Sequence, residues 1–470
     1  MSNYGQCQIQ LNSATAPPAI EIQWEETMKI NNIQLSLAHR SKTALSALLL
    51  GTCLVSGSQA VAQTEEPFTI VINQSPWFAG FEGLVEAYTA ATGNEVVLDV
   101  NPFRGALEKQ RNSARAPEGD IDMFVTNVAI MAEMWDSGLV HYMEELDPDF
   151  KLSDQISTFD DTVCWDEMQD SFDCESGKLV GVPINPNVQV LYYRADLYEE
   201  NGLKVPTTLA ELEANAIALH NPPDIFGIVQ RGSRSGVASN TRPYIYGMGG
   251  KKFADHKNGD YTVVLDSPEA KAGLQFYVDL AKKAGHPNAG AIAQGDMIQL
   301  AAAGRAAHFV AVIAAFAQLE NPDKSIVAGK FNVAVVPGNP PSPQLGHFIS
   351  SIPKNIPEAQ KSAAVAFLKW FQTKEAQEIY VKAGGVPVRE DVLTGELSKE
   401  EAYRWMPELW ESFQYAGANF DIQQGNQLIG VMELYFNQAM TGELTVDEAI
   451  ETAADEIRSV VKAAGLRGDN

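Results

Sequence analysis

Residues 68–100 read FTIVINQSPWFAGFEGLVEAYTAATGNEVVLDV and contain the pattern that decides the fold. A β-branched run over residues 68–72 predicts a first strand, and residues 80–92 predict a helix that ends at Gly93. Residues 95–100 return to a β-branched run, which predicts a second strand. A strand, a helix and a strand in this order form a β-α-β unit with two parallel strands in one sheet.

The same alternation continues downstream and predicts an α/β fold. Residues 107–115 predict a second helix, and residues 120–125 predict a third strand with Asp122 near its start and Asn127 at its end. Ligands of such sheets bind outside the carboxyl ends of the strands. Polar side chains around the third strand are therefore candidate ligand contacts.

Three later helices are indicated by their first turns. Thr208 with Glu211, and Thr445 with Glu448, have the spacing of a capping box, in which each side chain accepts a free backbone N–H. Residues 267–268 place a serine before a proline, which is the preferred order at a helix start. These patterns predict scaffold and carry no functional information.

Composition limits the class of function. At 470 residues and 45% hydrophobic content, the chain exceeds one ordinary core, so we expect two lobes. Sixty acidic against thirty-four basic residues give a formal charge of −26, which argues against a nucleic-acid partner. The sequence has neither a C-x-x-C pair nor an H-E-x-x-H motif, so we expect no metal and no cofactor.

The N-terminal region has the pattern of an export signal. Basic residues 39–42 precede the apolar run 44–50, and small residues end in an A-x-A site at 60–62. This order is typical of a secretory signal peptide. Cleavage before Gln63 would release a soluble mature chain.

Two features of the N-terminal region have alternative interpretations: the start residue and the anchoring of the mature chain. Met28 is a more usual start than Met1, so residues 1–62 are interpreted as an N-terminal extension and a signal peptide. Cys53 loosely resembles the cysteine of a lipoprotein signal. The threonine before it and the later A-x-A site favour release over lipid anchoring.

Two cysteines remain after the signal. Cys164 and Cys174 lie ten positions apart, and an exported chain meets an oxidising compartment. We therefore predict a disulfide, which would stabilise the fold by about 2–3 kcal/mol if the geometry allows. Two free thiols are the alternative.

Motifs of common enzymes do not match. Residues 232–236 place arginine where a nucleophile elbow has serine, and no phosphate-binding loop occurs. We therefore predict no catalytic residues, although a glycoside hydrolase needs only two carboxylates and sixty acidic residues leave that alternative open.

Aromatic residues beside polar ones favour carbohydrate binding. Residues 75–78 and 101–104 are two such stretches. A sugar ring stacks on an aromatic ring, and its hydroxyls bind amide, carboxylate and guanidinium groups. Many of these rings are also expected in the core, because burial is the commonest use of an aromatic side chain.

Several segments resemble the family-1 extracellular solute-binding proteins of bacterial ABC importers. Residues 177–183 (GKLVGVP) and 191–198 (LYYRADLY) are the most specific. Residues 246–250, 304–307 and 385–389 follow in the family's order. The resemblance covers nearly all of the chain after the export signal.

This resemblance implies an α/β, two-lobed periplasmic-binding-protein fold of the second type, with about three hinge crossings. By analogy the crossings lie near Asn187, near His308 and just before Pro353. The implied division gives residues 64–187 and 309–352 to lobe 1 and residues 188–308 and 353–470 to lobe 2.

The resemblance also implies a binding protein and no enzyme. The chain would capture a monosaccharide, oligosaccharide or polyol in the periplasm, as a monomer, and deliver it to the permease subunits of an ABC importer. The alternatives are a secreted glycoside hydrolase, or the same fold with a peptide, polyamine or metal ion as ligand.

The ligand-binding residues that we infer from the resemblance combine ring stacking with hydroxyl recognition. Trp77 is expected as a stacking platform and Asn187 as a hinge residue. Members often place a tryptophan shortly after residues 304–307, where this chain runs FVAVIAAF. The full set is Trp77, Arg104, Asp122, Asn127, Asn187, Arg231, Tyr244, His347, Phe348, Arg389 and Trp405.

Overall fold

The computed structural model describes residues 67–159, 161–168, 171–418 and 422–468, and the predicted export signal with Cys53 lies outside them. The strands are β1 Phe68–Asn73, β2 Val96–Asn101, β3 Met123–Asn127, β4 Cys164–Asp166, β5 Ser171–Phe172, β6 Lys178–Leu179, β7 Pro183–Asn185, β8 Gln189–Arg194, β9 Phe253–Asp255, β10 Asp260–Val263, β11 His308–Val312, β12 Phe331–Ala334, β13 Gln344–Leu345, β14 Phe348–Ser351 and β15 Gly417–Ala418. The α-helices are α1 Phe78–Thr92, α2 Phe103–Arg115, α3 Val128–Asp136, α4 Met143–Leu146, α5 Ala195–Asn201, α6 Leu209–Ala218, α7 Val237–Gly247, α8 Pro268–Ala284, α9 Gln294–Ala302, α10 Phe316–Glu320, α11 Glu358–Phe371, α12 Lys374–Lys382, α13 Glu390–Leu393, α14 Met406–Phe413, α15 Gly425–Thr441 and α16 Val446–Ala463.

The first lobe is built on a five-stranded sheet in the order β2-β1-β3-β14-β7. β1 pairs parallel with β2 and β3, whereas β14 runs antiparallel to β3 and β7. Phe81 of α1 packs its ring against Phe367 of α11 and Tyr380 of α12. These contacts place α11 and α12 in the same lobe as α1.

The second lobe is built on a three-stranded antiparallel sheet in the order β11-β8-β12. Bridges at Phe226 and Val229 add a parallel neighbour beside β11. Tyr192 of β8 stacks on Phe309 of β11 with ring centroids 4.4 Å apart. Helices α7, α8, α15 and α16 pack against one another and contribute buried residues to one apolar cluster.

Sheet membership corrects the division expected between the lobes. Residues 309–352 were expected in the first lobe, but β11 and β12 pair with β8 of the second lobe. Residues 353–470 were expected in the second lobe, but α11 and α12 pack on the first. The pairing partner of a strand depends on residues distant in sequence, so local pattern does not reveal it.

Two crossings between the lobes lie side by side. Asn187 joins β7 to β8 with a φ of 47°, and its Nδ2 donates to the carbonyl of Gly346 at 3.1 Å. Gly346 precedes β14 and donates its own N–H to the carbonyl of Asn187 at 3.3 Å. The crossings expected near His308 and before Pro353 are wrong, because His308 lies inside β11 and the chain returns at residues 344–347.

A third crossing follows α13. Arg389, immediately before α13, bridges to Ile156 and donates from Nη1 to the carbonyl of Gln372, the residue after α11 of the first lobe. α14 packs against β8 and β12 of the second lobe. The chain therefore passes between the lobes over residues 394–405, far beyond the position expected from sequence.

Local predictions agree with the structure. The first β-α-β unit is confirmed, with β1, α1 and β2 within two residues of the expected bounds. The capping boxes of α6 and α16 and the Ser267 cap of α8 are present. Cys164 and Cys174 form a disulfide with an S–S distance of 2.10 Å. In the described ranges, no helix is both long and apolar enough to cross a membrane.

Candidate functional site

Four strands of the first sheet end on asparagine at the same edge. β1, β2, β3 and β7 run in one direction, and their last residues are Asn73, Asn101, Asn127 and Asn185. Asn73 pairs with Asn101, while Asn127 and Asn185 both pair with Phe348. We call these four asparagines the first-lobe edge. Sequence reasoning selected only Asn127, although each of the other three ends a β-branched or apolar run.

The asparagine side chains of the first-lobe edge differ in their hydrogen bonds. Asn127 is the N-cap of α3, since its Oδ1 accepts from the N–H of Ala129 at 3.0 Å, and its Nδ2 donates to the Gly346 carbonyl at 3.1 Å. Asn185 is fully buried and donates to the Tyr380 hydroxyl at 3.3 Å. The Oδ1 of Asn185 has no partner in the described part of the chain, so it is an open acceptor.

Strand ends of the second lobe also carry open acceptors. Gln189 begins β8 opposite Val312, and Gln230 follows the segment that pairs with β11. Both glutamines are buried, and neither Oε1 has a hydrogen-bond partner among the described residues. We call Gln189, Gln230 and Arg231 the second-lobe edge. A buried unpaired acceptor costs about 1–3 kcal/mol, so Asn185, Gln189 and Gln230 are candidate ligand contacts.

Arg231 extends this edge with a half-buried guanidinium. Its Nη1 donates to Gln294 Oε1 at 3.2 Å and its Nη2 to the Ser235 carbonyl, while its Nε has no partner within the described ranges. The guanidinium lies against Gly236, where an added Cβ would stand 1.9 Å from Arg231 Cζ. Burial lowers the pKa of Arg231, and the Glu433 carboxylate partly offsets that effect.

Glu433 is a charged residue beside the Arg231 loop that sequence reasoning did not select. Asn437, one helical turn later on α15, donates to the carbonyls of Gly232 at 2.7 Å and Gly290 at 2.8 Å. This face of α15 therefore contacts the loop that carries Arg231. Burial raises the pKa of Glu433 to about 7, and the charges of Arg231, Arg104 and Arg234 oppose the shift.

These charges come from both lobes. Arg104 lies in the first turn of α2, directly after the carboxyl end of β2, whereas Arg231, Arg234 and Glu433 belong to the second lobe. Phe103 precedes Arg104 and is 42% exposed. A hydrogen bond from Gln423 to Asp136 of α3 adds a contact between the lobes. The predicted residues Arg104 and Arg231 both act electrostatically on Glu433.

Trp77 does not present a ring face to this junction. It is fully buried in the first-lobe core, with its ring 5.2 Å from that of Phe348 and 6.0 Å from that of Phe81. The expected stacking platform is therefore covered by protein. Phe103 is the exposed aromatic at the first-lobe edge, and its position after a strand end was the available signal.

Tyr244 and Trp405 are also core residues. Tyr244 is fully buried between Tyr277 and Phe276, and burial raises the pKa of its hydroxyl. Trp405 is 6% exposed and lies 6.3 Å from Phe316. Aromatic chemistry is the same in a core and in a sugar site, so residue type alone does not separate the two.

Asp122 and Arg389 serve the scaffold. β3 begins after Asp122, so this carboxylate lies at the end of the strand remote from Asn127 and accepts from the Thr69 N–H at 2.7 Å. Arg389 donates from Nε and Nη2 to Asp391 at 2.8 Å each, and from Nη1 to the Gln372 carbonyl at 2.7 Å. Neither side chain belongs to the junction of the two edges.

His347 lies beside the second crossing but its ring is enclosed. Nε2 is 2.6 Å from Thr162 Oγ1, and the ring packs on Phe159. Burial lowers the pKa of His347 to about 3, so the imidazole is neutral at physiological pH. Its backbone carbonyl accepts from Asn127 Nδ2 at 3.3 Å, which ties the crossing to the first-lobe edge.

Comparisons with known proteins agree with this architecture. The model of a family described as "Bacterial extracellular solute-binding protein" matches residues 83–404. Within the described ranges, no three His, Cys, Asp or Glu side chains are grouped as a metal site would require.

The chain is also similar to a named relative and to solved structures. The chain is 23% identical over 395 residues to the mannitol-binding protein of Pseudomonas aeruginosa, covering 79% of this chain and 86% of the relative. A ribitol complex of an ABC transporter solute-binding protein from Agrobacterium radiobacter K84 matches with a TM-score of 0.72 at 20% identity, covering 84% of this chain and 99% of that one. Maltose-bound MalE3 of T. maritima matches with a TM-score of 0.72 at 24% identity and the same coverage.

Proposed function

The chain belongs to the bacterial extracellular solute-binding proteins, and from this premise we propose that it captures a carbohydrate between its lobes and delivers it to an ABC importer. The ligand is a sugar or a polyol. The protein acts in the periplasm as a monomer, its partners are the permease subunits of the importer, and it performs no reaction on its ligand.

One observation carries this proposal: buried side-chain acceptors at strand ends on both sides of the Asn187 crossing have no partner among the described residues. Asn185 Oδ1, Gln189 Oε1 and Gln230 Oε1 have no partner within the described residues. Carbohydrate hydroxyls are donors that match such oxygens, and Arg231 supplies donors beside them. Phe103 offers an exposed ring for the apolar face of a sugar.

The hinge converts binding into a signal for the permease. The crossings at Asn187 and Gly346 are linked by two hydrogen bonds, so they can flex together as a narrow strap. A ligand held by one edge meets the other edge only when the lobes close, and it shifts the equilibrium by that additional contact free energy.

The names of the relatives support a sugar or polyol. Mannitol, ribitol and maltose appear with proteins that share this fold. A hydrolase would need two carboxylates on opposite sides of a glycosidic bond. The charged groups that act on Glu433 are arginines, which favours binding over hydrolysis.

A thermal-shift panel tests this function. The purified protein is heated with mannitol, ribitol, maltose and glucose, with amino acids and spermidine as controls. A ligand at one hundred times its dissociation constant stabilises the folded state by about 2.7 kcal/mol. We expect a shift with one carbohydrate class and recovery of that carbohydrate intact. A shift with amino acid or spermidine alone, or consumption of the sugar, would contradict the proposal.

A further inference from the structure

A loop of the first lobe has an unusual backbone. Within the described ranges, three residues other than glycine have a left-handed conformation: Phe159 with a φ of 50°, Asp161 with 67° and Asn187 with 47°. Asn187 is a crossing between the lobes. Asparagine and aspartate tolerate this conformation, but a bulky residue such as phenylalanine adopts it only where surrounding contacts enforce it. The backbone at Phe159 therefore indicates a loop that is held by tertiary contacts.

Thr162 connects this loop to the second crossing. Its Oγ1 lies 2.6 Å from His347 Nε2 and donates to the Phe159 carbonyl at 2.8 Å. A hydroxyl has one proton to donate, so the N–H of His347 Nε2 is the donor in the shorter contact. His347 directly follows Gly346, whose hydrogen bonds with Asn187 join the two crossings. The buried hydroxyl of Thr162 therefore fixes the residue next to that junction.

Phe159 connects the same crossing to both lobes. Its buried ring lies 5.2 Å from the His347 ring and 5.8 Å from the ring of Phe413. Phe413 ends α14, which packs against β8 and β12 of the second lobe. The segment before Phe159 is attached to the first lobe, because Ser153 donates its N–H at 2.9 Å to Gln372 Oε1, directly after α11. The ring of Phe159 thus lies where the two lobes and a crossing meet.

Phe159 and Thr162, which we call the hinge brace, contact a strip of three chain segments. β13 pairs in parallel with β15, the strand that follows α14. Leu345 of β13 also bridges to Val188, directly after the first crossing. The hinge brace contacts this strip at His347, two residues after Leu345. It therefore supports the strip at the point where the chain returns to the first lobe.

We propose that Phe159 and Thr162 are positioning residues of the hinge, which hold the crossing at residues 346–347 in the arrangement from which the lobes close. The inference rests on the proposed function, since it concerns the closure which that function requires, and it adds to the hinge a loop that lies outside the three crossings. Both residues act through His347 and Phe413 and need no contact with a ligand. Without them the crossing would open locally, so more conformational freedom would be lost on closure and affinity would fall.

Hydrogen–deuterium exchange of the full, ligand-free chain tests the hinge brace. The reporter is the Gly346 N–H, which donates to the Asn187 carbonyl. Thr162→Val keeps the shape of the side chain and removes its hydroxyl, so exchange at Gly346 should become about fivefold faster. Thr162→Ser keeps the hydroxyl and should restore the parent rate. A role confined to the loop would change exchange near Thr162 and leave Gly346 at the parent rate.

Phe159→Leu is the second variant, and Phe253→Leu is its matched control. Both phenylalanines are buried, with exposures of 3% and 2%, but Phe253 packs against Tyr261. Phe159→Leu should accelerate exchange at Gly346. It should also weaken binding about fivefold for whichever of mannitol, ribitol, maltose or glucose stabilises the parent protein. Phe253→Leu should change neither quantity, although it also removes a buried ring.

The outcomes separate the hinge inference from the function on which it rests. Exchange of Gly346 at the parent rate in Thr162→Val or in Phe159→Leu would overturn the hinge brace. Equal acceleration by Phe253→Leu would also overturn it, because the cause would then be a general loss of stability. The exchange measurement needs no ligand, so it decides the hinge inference whether or not a carbohydrate binds. If the hinge brace fails while a carbohydrate binds, the proposed function stands.

Discussion

Arg389 and Arg231 are both arginines that the sequence nominates for ligand binding, yet the fold uses them in opposite ways. Arg389 directs its donors to Asp391, Ser153 and the Gln372 carbonyl, all from nearby elements of the same lobe. Arg231 donates hydrogen bonds to Gln294 and to the Ser235 carbonyl. The Glu433 carboxylate raises the pKa of Arg231 electrostatically but does not form an ion pair with it among the described residues.

This difference distinguishes an arginine that stabilises the fold from an arginine that has donors available for a ligand. A guanidinium whose hydrogen bonds are all made to protein fixes loops relative to one another, and its removal leaves buried partners unpaired. A guanidinium with unused donors has hydrogen bonds left for a ligand. The same distinction divides Asn127, which caps a helix, from Asn185, which keeps an open acceptor.

Arg389→Ala gives the largest expected effect and tests the scaffold side of the comparison. It removes the partner of Asp391 and the donors to Ser153 and Gln372, so the free energy of unfolding should fall by about 2–4 kcal/mol. Urea unfolding measures the loss, and ligand affinity of the folded protein should stay within about twofold.

Arg231→Gln is the matched comparison for that variant. We expect a change in unfolding free energy of less than about 1 kcal/mol and a loss of ligand affinity of about tenfold or more. Equal stability losses in both variants would mean that Arg231 is a scaffold residue like Arg389.

Lowering the pH tests the buried, neutral side chain of His347. His347 has a folded pKa of about 3, against about 6.5 when unfolded, so the unfolded state binds more protons between these values. Stability should therefore fall as pH drops below about 6.5, with about 3 kcal/mol from this residue by pH 4. NMR titration of the imidazole checks the cause: titration of His347 near pH 6.5 would show that the ring is not enclosed.

Removal of the disulfide should affect stability without affecting the site. Replacing Cys164 and Cys174 by serine opens a loop of sequence separation 10 and should cost about 2–3 kcal/mol of unfolding free energy. Affinity should change by less than about threefold. Reduction of the parent protein with dithiothreitol is the control, and a larger affinity change would connect this loop to the binding edge.

Gly236→Ala tests the position of Arg231, and it also strains the backbone because Gly236 has a φ of 146°. The new methyl group would lie 1.9 Å from Arg231 Cζ and push the guanidinium away, so affinity should fall about tenfold. Gly202→Ala is the control, because Gly202 also has a positive φ but open space around it. Equal affinity losses in the two variants would point to backbone strain instead of a displaced arginine.

Local features of this fold could be predicted from sequence. The capping boxes of α6 and α16 depend on residues three positions apart, and the first β-α-β unit depends on periodicity within residues 68–100. β3 began three residues later than expected, and this shift moved Asp122 out of the strand to its far end.

The candidate site could be predicted only in part. Arg104 and Arg231 stand next to the ends of apolar runs, so their position at an edge was visible in the sequence. Trp77, Tyr244 and Trp405 look the same in a core as in a sugar site, and only packing shows that they are buried. Glu433 is one of sixty acidic residues until burial and three arginines distinguish it.

The sequence by itself determined the secondary structure, the α/β class and the family, because these depend on neighbouring residues and on ordered motifs. Tertiary structure alone decided which strands share a sheet, where the chain crosses between lobes, and which polar groups remain unpaired. Whether a donor is free depends on every group that packs around it, and those groups come from distant parts of the chain. For that reason Arg389 has only protein partners, whereas Arg231 keeps an unpaired Nε among the described residues and is a candidate ligand contact.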